Sequence, residues 1–151
     1  MYLNCHSYHS LRYGTIPLQE LVEQAVLFDV TAMALTDINT VTGIYDFYKA
    51  CQAVNIKPLV GIDFRNEGKQ LYIGLAKNKK GIAEMNRLVT KHNFDNTPLP
   101  EKAPDFENTI IIYPFDSIPE TLNENEFIGI APEQMGRAHV WTPVTDQSRM
   151  P

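Results

Sequence analysis

The run Ala32-Met33-Ala34-Leu35-Thr36 has no polar alternation and is followed at once by Asp37. A short apolar run of this kind reads as a strand buried on both faces, which in turn calls for helices against the sheet. The flanks supply them. Pro17 suits the first turn of a helix, and Leu18, Leu21, Val22, Ala25 and Val26 repeat at helical spacing behind it. A second helix is expected from Gly43, with Ile44, Phe47, Tyr48, Cys51 and Val54 on one side. Among its aromatics Tyr45, Phe47 and Tyr48, core packing is the expected role for most.

The rest of the chain continues the pattern. Tyr2 to Cys5 is a short extended segment ending in His6, and Ser7 to Gly14 is a loop. Pro58 closes the second helical region, and Leu59 to Phe64 reads as a strand. Arg65 to Gln70 reads as a hairpin turn with Asn66, Glu67 and Gly68 at its tip, and Leu71 to Ala76 returns. A third helix is expected over Lys79–Asn93, with Ile82, Met85, Leu88 and Val89 inward and His92 near the end that favours a cation. Pro98, Pro100 and Pro104 mark an irregular loop. Thr109–Tyr113 and, more weakly, Phe127–Ile130 are strands. The succession strand, helix, strand, helix, strand predicts an α/β fold on a parallel sheet. Ligands in such folds bind outside the carboxyl ends of the strands. His6, Asp37 and Asp63 fall there, and His9 is out of register with them.

Composition narrows the function. The chain has 151 residues, 44% of them hydrophobic, enough for one domain with a real core. Net charge is −5 and the pI about 5.3, so no basic surface tracks a phosphate backbone, and direct DNA binding is not expected. No apolar run approaches a membrane span, and the N-terminus has no secretory pattern. Cys5 and Cys51 are expected as small buried hydrophobes rather than a disulfide. A cytoplasmic location follows. Residues 136–151 lack periodicity and are expected to be an irregular tail, set apart from residues 1–135.

Four ordered blocks carry a resemblance: His6-Ser7-x-x-Ser10 with Gly14; Ala34-Leu35-Thr36-Asp37; Ile56-Lys57-Pro58-Leu59-Val60-Gly61-Ile62-Asp63-Phe64; and Gly74-Leu75-Ala76-Lys77-Asn78-x-x-Gly81. Together they resemble the opening of the polymerase and histidinol phosphatase (PHP) domain of bacterial DNA polymerase III alpha subunits, in wording most similar to the Bacteroidetes group. The resemblance implies a (β/α)7 TIM-like barrel, of which residues 1–135 supply the first half, with metal ligands at the strand ends. It implies a His-x-His opening, read here as Asn4 and His6. It implies an aspartate before the loop glycine, where Tyr13 stands, and an Asp-His pair, read as Asp37-Ile38. A glutamate of the family is here Asp63.

Amide, phenol and aliphatic groups at Asn4, Tyr13 and Ile38 leave His6, Asp37 and Asp63 as possible ligands. Phosphodiester hydrolysis by a metal cluster needs more than that. No cofactor and no catalytic residue are therefore expected in this segment. His6 and Asp37 are expected to hydrogen-bond neighbouring loop backbone instead. The leading expectation is a degenerate PHP module with a structural or docking role in DNA replication. Its partners would be the rest of the polymerase alpha chain and a proofreading exonuclease subunit. The parent polymerase would use Mg. The alternative is a metal-dependent phosphoesterase or 3'-5' exonuclease using Zn, Mn or Fe. A free-standing phosphatase of the histidinol-phosphate type is disfavoured by the polymerase-like third and fourth blocks. An isolated half-barrel is expected to self-associate through its open edge and apolar face.

Overall fold

A computed structural model describes residues 1–130; the expected tail at 136–151 lies outside the described residues. Six strands and three α-helices follow in the order β1 (Tyr2–Cys5), α1 (Leu18–Leu27), β2 (Ala32–Leu35), α2 (Ile44–Ala53), β3 (Lys57–Asn66), β4 (Lys69–Ala76), α3 (Lys79–Asp95), β5 (Thr109–Pro114) and β6 (Glu126–Gly129). The strands form one sheet in sequence order. No helix among the described residues is long and apolar enough to cross a membrane.

The sheet is mixed: the parallel pairing expected from the strand–helix alternation holds for its first three strands, and the expected hairpin makes the next pair antiparallel. β1, β2 and β3 are parallel, β3–β4 and β4–β5 antiparallel, and β5–β6 parallel. The reversal sits at Glu67-Gly68, whose φ angles of 46° and 91° are both left-handed. Two left-handed residues in a two-residue hairpin match the twist of the flanking strands. β3 also runs further than expected at both ends. Pro58 lies inside it, paired with Met33, and Asp63 precedes its end. Past a register shift between Phe64 and Arg65, Arg65 and Asn66 still pair with Gln70 and Lys69.

All three helices cover one face of the sheet. Along β3 the side chains alternate, so Val60, Ile62 and Phe64 share a face. Val60 packs on the cluster of Leu18, Val22, Met33, Leu35, Phe47 and Cys51 beneath α1 and α2. Ile62 and Phe64 join Tyr72, Met85, Val89, Ile111 and Tyr113 beneath α3. Cys5 packs against the first cluster; it and Cys51 are free thiols, as expected. The opposite face carries no helix and is closed at the Asp63 end, where that side chain is fully buried. Towards the other end it opens into a groove lined by Leu3, Leu59, Leu75, Ile110 and Ile112 among others. A sheet covered by helices on one side only is a wall of a TIM-like barrel, and the chain supplies part of one.

The apolar stripes are narrower than the periodicity suggests. Val26, Tyr48 and Val54 are 45%, 46% and 41% exposed, and Tyr45 is 66% exposed. Each of these ten-residue helices buries a single line of contacts: Leu18, Val22 and Ala25 on α1, Phe47 and Cys51 on α2. Of the three aromatics on α2, only Phe47 is core. α3 is longer than expected, ending at Asp95. Asn78 caps its start by accepting from the Lys80 and Gly81 amides, and Asn96 closes it in the left-handed conformation. His92 lies in that last turn, its Nδ1 3.0 Å from Thr97 Oγ1.

Candidate functional site

Parallel pairing of β1, β2 and β3 brings their carboxyl ends to one edge. The Thr36 amide donates to the Cys5 carbonyl, and Ile38 bridges Asp63 as a parallel pair. His6, Asp37 and Asp63, distant in sequence, therefore lie on adjacent segments, as the sequence predicts.

Asp37 is buried, and protein groups surround its carboxylate. Oδ1 accepts from the Ser7 amide and the Ser10 hydroxyl, both at 2.7 Å, and Oδ2 accepts from the Ser7 hydroxyl at 2.7 Å. The Ser10 hydroxyl in turn accepts from the Ile38 amide at 3.0 Å. This arrangement holds the β1–α1 loop against the end of β2. Gly14 is part of the same closure: a Cβ there would lie 1.8 Å from the Ser7 carbonyl oxygen.

Asp63 is fully buried and more crowded still. Its Oδ2 accepts from Arg65 Nε at 3.0 Å and from an Arg65 terminal nitrogen at 2.8 Å. The same oxygen lies 3.0 Å from His6 Nε2, which donates to it in the tautomer protonated there. Gln70 Nε2 donates to Oδ1 at 3.0 Å. Arg65 also stacks on the Tyr13 ring, its guanidinium carbon 4.6 Å from the ring centre. The Asn39 side chain clamps the Arg65 backbone, donating to its carbonyl at 2.8 Å and accepting from its amide at 3.0 Å. Asn4 stands apart, accepting from the Thr36 hydroxyl at 2.8 Å.

The expectation for Asp37 agrees with its bond to the Ser7 amide. His6 differs: it meets a carboxylate rather than loop backbone. Sequence reading also missed Arg65, Gln70 and Asn39. Arg65 carried a usable signal, since residues two apart in a strand share a face. Gln70 is its cross-strand partner in the hairpin.

The donor set does not fit a metal ion of the kind the fold family implies. Among the described residues no three His, Cys, Asp or Glu side chains are grouped to hold one. Tyr13 faces a guanidinium, Ile38 contributes a backbone amide, and the oxygens of Asp63 are taken up by nitrogen donors. A carboxylate accepts at about four lone-pair sites, and Asp63 uses that capacity internally.

Burial alone would raise the pKa of Asp63, but hydrogen bonds from His6, Arg65 and Gln70 and the Arg65 charge outweigh it and hold the carboxyl below its ordinary range. A depressed folded-state pKa stabilises the fold above the unfolded value of about 3.9, and that contribution is lost as pH falls through the folded pKa. Protection of the Asp63 and Arg65 amides, taken relative to the intrinsic exchange rate at each pH, should therefore fall below about pH 4, and Asp63→Asn should flatten that acid limb. Equal acid sensitivity in both proteins would contradict the assignment.

The PHP domain family model matches residues 3–130. The chain belongs to the PHP domain family. It is 35% identical over 98 residues to the error-prone DNA polymerase of Symbiobacterium thermophilum, covering 65% of this chain and 9% of that protein. It is 30% identical over 154 aligned residues to the DNA polymerase III subunit alpha of Staphylococcus aureus, covering 93% of this chain and 14% of that one. The Ureaplasma parvum alpha subunit is 29% identical over 114 residues, covering 73% of this chain and 11% of its own. The chain thus spans about a seventh or less of the length of these polymerases. A crystal structure provisionally assigned as a metal-dependent phosphoesterase from Bifidobacterium adolescentis overlaps 62% of this chain and 33% of that one, at TM-score 0.47 and 19% identity, too weak a likeness to carry a conclusion.

Proposed function

We propose that this segment is the N-terminal part of the PHP domain of a replicative DNA polymerase III alpha subunit. Its metal site is degenerate, and it serves as a structural and docking element in DNA replication, in the cytoplasm. The observation that supports this best is the engagement of both strand-end carboxylates, Asp37 and Asp63, by protein donors. Asn4, His6, Tyr13, Asp37, Ile38 and Asp63 are then vestigial positions. They tie loops together where relatives of full ligand count would hold ions. Partners are the rest of the alpha chain and a proofreading exonuclease subunit, and the Mg-dependent polymerase chemistry belongs to other parts of that chain.

The test is hydrolysis of bis-p-nitrophenyl phosphate and of 3'-labelled single-stranded DNA by the full chain, with Mn²⁺ or Zn²⁺ added. The expected rate equals that of the Asp63→Asn variant. Metal-stimulated hydrolysis that Asp63→Asn abolishes would establish the alternative, a metal-dependent phosphoesterase or 3'-5' exonuclease. The groove around Leu59, Ile110 and Ile112 bears on the segment by itself. With that apolar face open, residues 1–151 expressed alone should elute as dimers or larger species in size-exclusion chromatography; a stable monomer would count against it.

A further inference from the structure

We infer that the Arg65 guanidinium is the resident cation of the strand-end site, cross-linking the three loops that a metal ion would otherwise join. The claim rests on the degenerate-site reading for its starting point and on geometry for its content. Asp63 is fully buried, and Arg65 meets it through two nitrogens, Nε at 3.0 Å and a terminal nitrogen at 2.8 Å. A buried carboxylate without a cation nearby is strongly disfavoured, and Arg65 is the cationic side chain that contacts it whatever the protonation of His6. From this one position the charge reaches every loop of the site. The β1–α1 loop is reached through the Tyr13 ring and through His6 on the shared Asp63 oxygen. The β2–α2 loop is reached through Asn39, whose side chain pairs with the Arg65 backbone. The third is the end of β3 itself, with Gln70 across the hairpin on the other Asp63 oxygen.

The residue type matters. A planar guanidinium offers several donors at fixed angles and stacks on an aromatic face, while remaining charged at any working pH. A lysine ammonium supplies the charge without the fork or the stack. Tyr13 and Arg65 thereby account for each other: the phenol at a family ligand position is the platform on which the replacing cation rests. Arg65 is a positioning residue in this account and takes part in no chemistry.

The test is a double-mutant cycle in the full chain, read as hydrogen exchange of the Asn39, Asp63 and Arg65-position amides, which are bonded across the site. Arg65→Met, which keeps an unbranched apolar stem and removes the charge and its donors, should speed exchange by about tenfold or more, the scale of a lost charged hydrogen bond. Adding Asp63→Asn should restore much of the protection, because the uncompensated carboxylate is then gone. Arg65→Lys should fall between wild type and Arg65→Met. Wild-type protection should be indifferent to EDTA and to added Zn²⁺. Should Arg65→Met fail to fold, recovery of folding in the double variant supports the inference and continued failure overturns it. Additive effects in the cycle, or loss of wild-type protection in EDTA, also overturn it. The cycle reports the pairing alone and is blind to hydrolysis, whereas the phosphodiester assay reports hydrolysis and is blind to the pairing. Failure of the two claims is therefore distinguishable.

Discussion

Asp37→Ala is expected to release the β1–α1 loop. The substitution removes an acceptor of three short hydrogen bonds and leaves the Ser7 amide and the buried Ser7 and Ser10 hydroxyls searching for partners. Hydrogen bonds to a charged group contribute about 1.5–3 kcal/mol each, and orphaned buried donors add to the loss. A local cost of about 3–5 kcal/mol follows, among the larger single-residue effects. It is best read where it falls. The Tyr8, Ser10, Tyr13 and Gly14 amides are bonded within this loop, and their exchange should accelerate by roughly a hundredfold or more, at about 1.4 kcal/mol per factor of ten. Asp37→Asn retains one acceptor oxygen and a polar group facing the hydroxyls, so it should cost less, about 1–2 kcal/mol. Unchanged exchange in Asp37→Ala would mean that the loop is held by something other than this carboxylate.

Phe64→Ala is expected to be comparably damaging for a different reason. Phe64 is fully buried beneath α3, its ring 4.9 Å from that of Tyr72, which meets Tyr113 edge-on at 5.7 Å. Truncation removes a large apolar side chain and leaves a cavity that a three-ring stack cannot fill without moving strands, at about 3–5 kcal/mol. Its neighbour provides the contrast. Among the described residues the Tyr72 hydroxyl is the buried side-chain polar group without a hydrogen-bond partner. Tyr72→Phe deletes that group while keeping the ring, so it should be neutral or stabilising by about 1 kcal/mol. Denaturation with urea, followed through amides of α3 and β4, orders the three proteins. The expected order is Tyr72→Phe at or above wild type and Phe64→Ala far below. A destabilised Tyr72→Phe would show that its hydroxyl has a partner after all.

The order of elements was legible because each rests on a local signal. The unbroken apolar run 32–35 is β2, and the turn chemistry at Glu67-Gly68 marks the hairpin that closes β3 against β4. Pairing direction was less legible. Strand–helix alternation implied the parallel pairs of β1, β2 and β3 and the hairpin implied an antiparallel return, while no local signal set the antiparallel β4–β5 pair. The ends of β3 were hidden because Arg65 and Asn66 are polar, and their place in the strand depends on partners at Gln70, Lys69 and Asn39 that no local pattern reveals. Stripe width on α1 and α2 was hidden for a similar reason. Val26 and Tyr48 fit the helical period, yet each lies outside the single line of contacts that its helix buries.

In the site, the convergence of His6, Asp37 and Asp63 followed from strand order. The partners that saturate them did not. Ser7 and Ser10 reach Asp37 across 30 and 27 residues of sequence, and such contacts leave no periodic trace. Arg65 is the exception, two residues from Asp63 on the same strand face. Its meaning depended on knowing that Asp63 is buried and that Tyr13 lies over it.

The central claim is that protein donors hold this strand-end site without a metal. Elemental analysis of the purified full chain for Zn, Mn and Fe, beside that of a His6→Ala variant, tests it most directly. The account predicts that the two proteins carry the same metal content and that EDTA leaves the protection of the Asp63 amide unchanged. About one equivalent of metal per chain, present in the wild type and lost in His6→Ala, would contradict it.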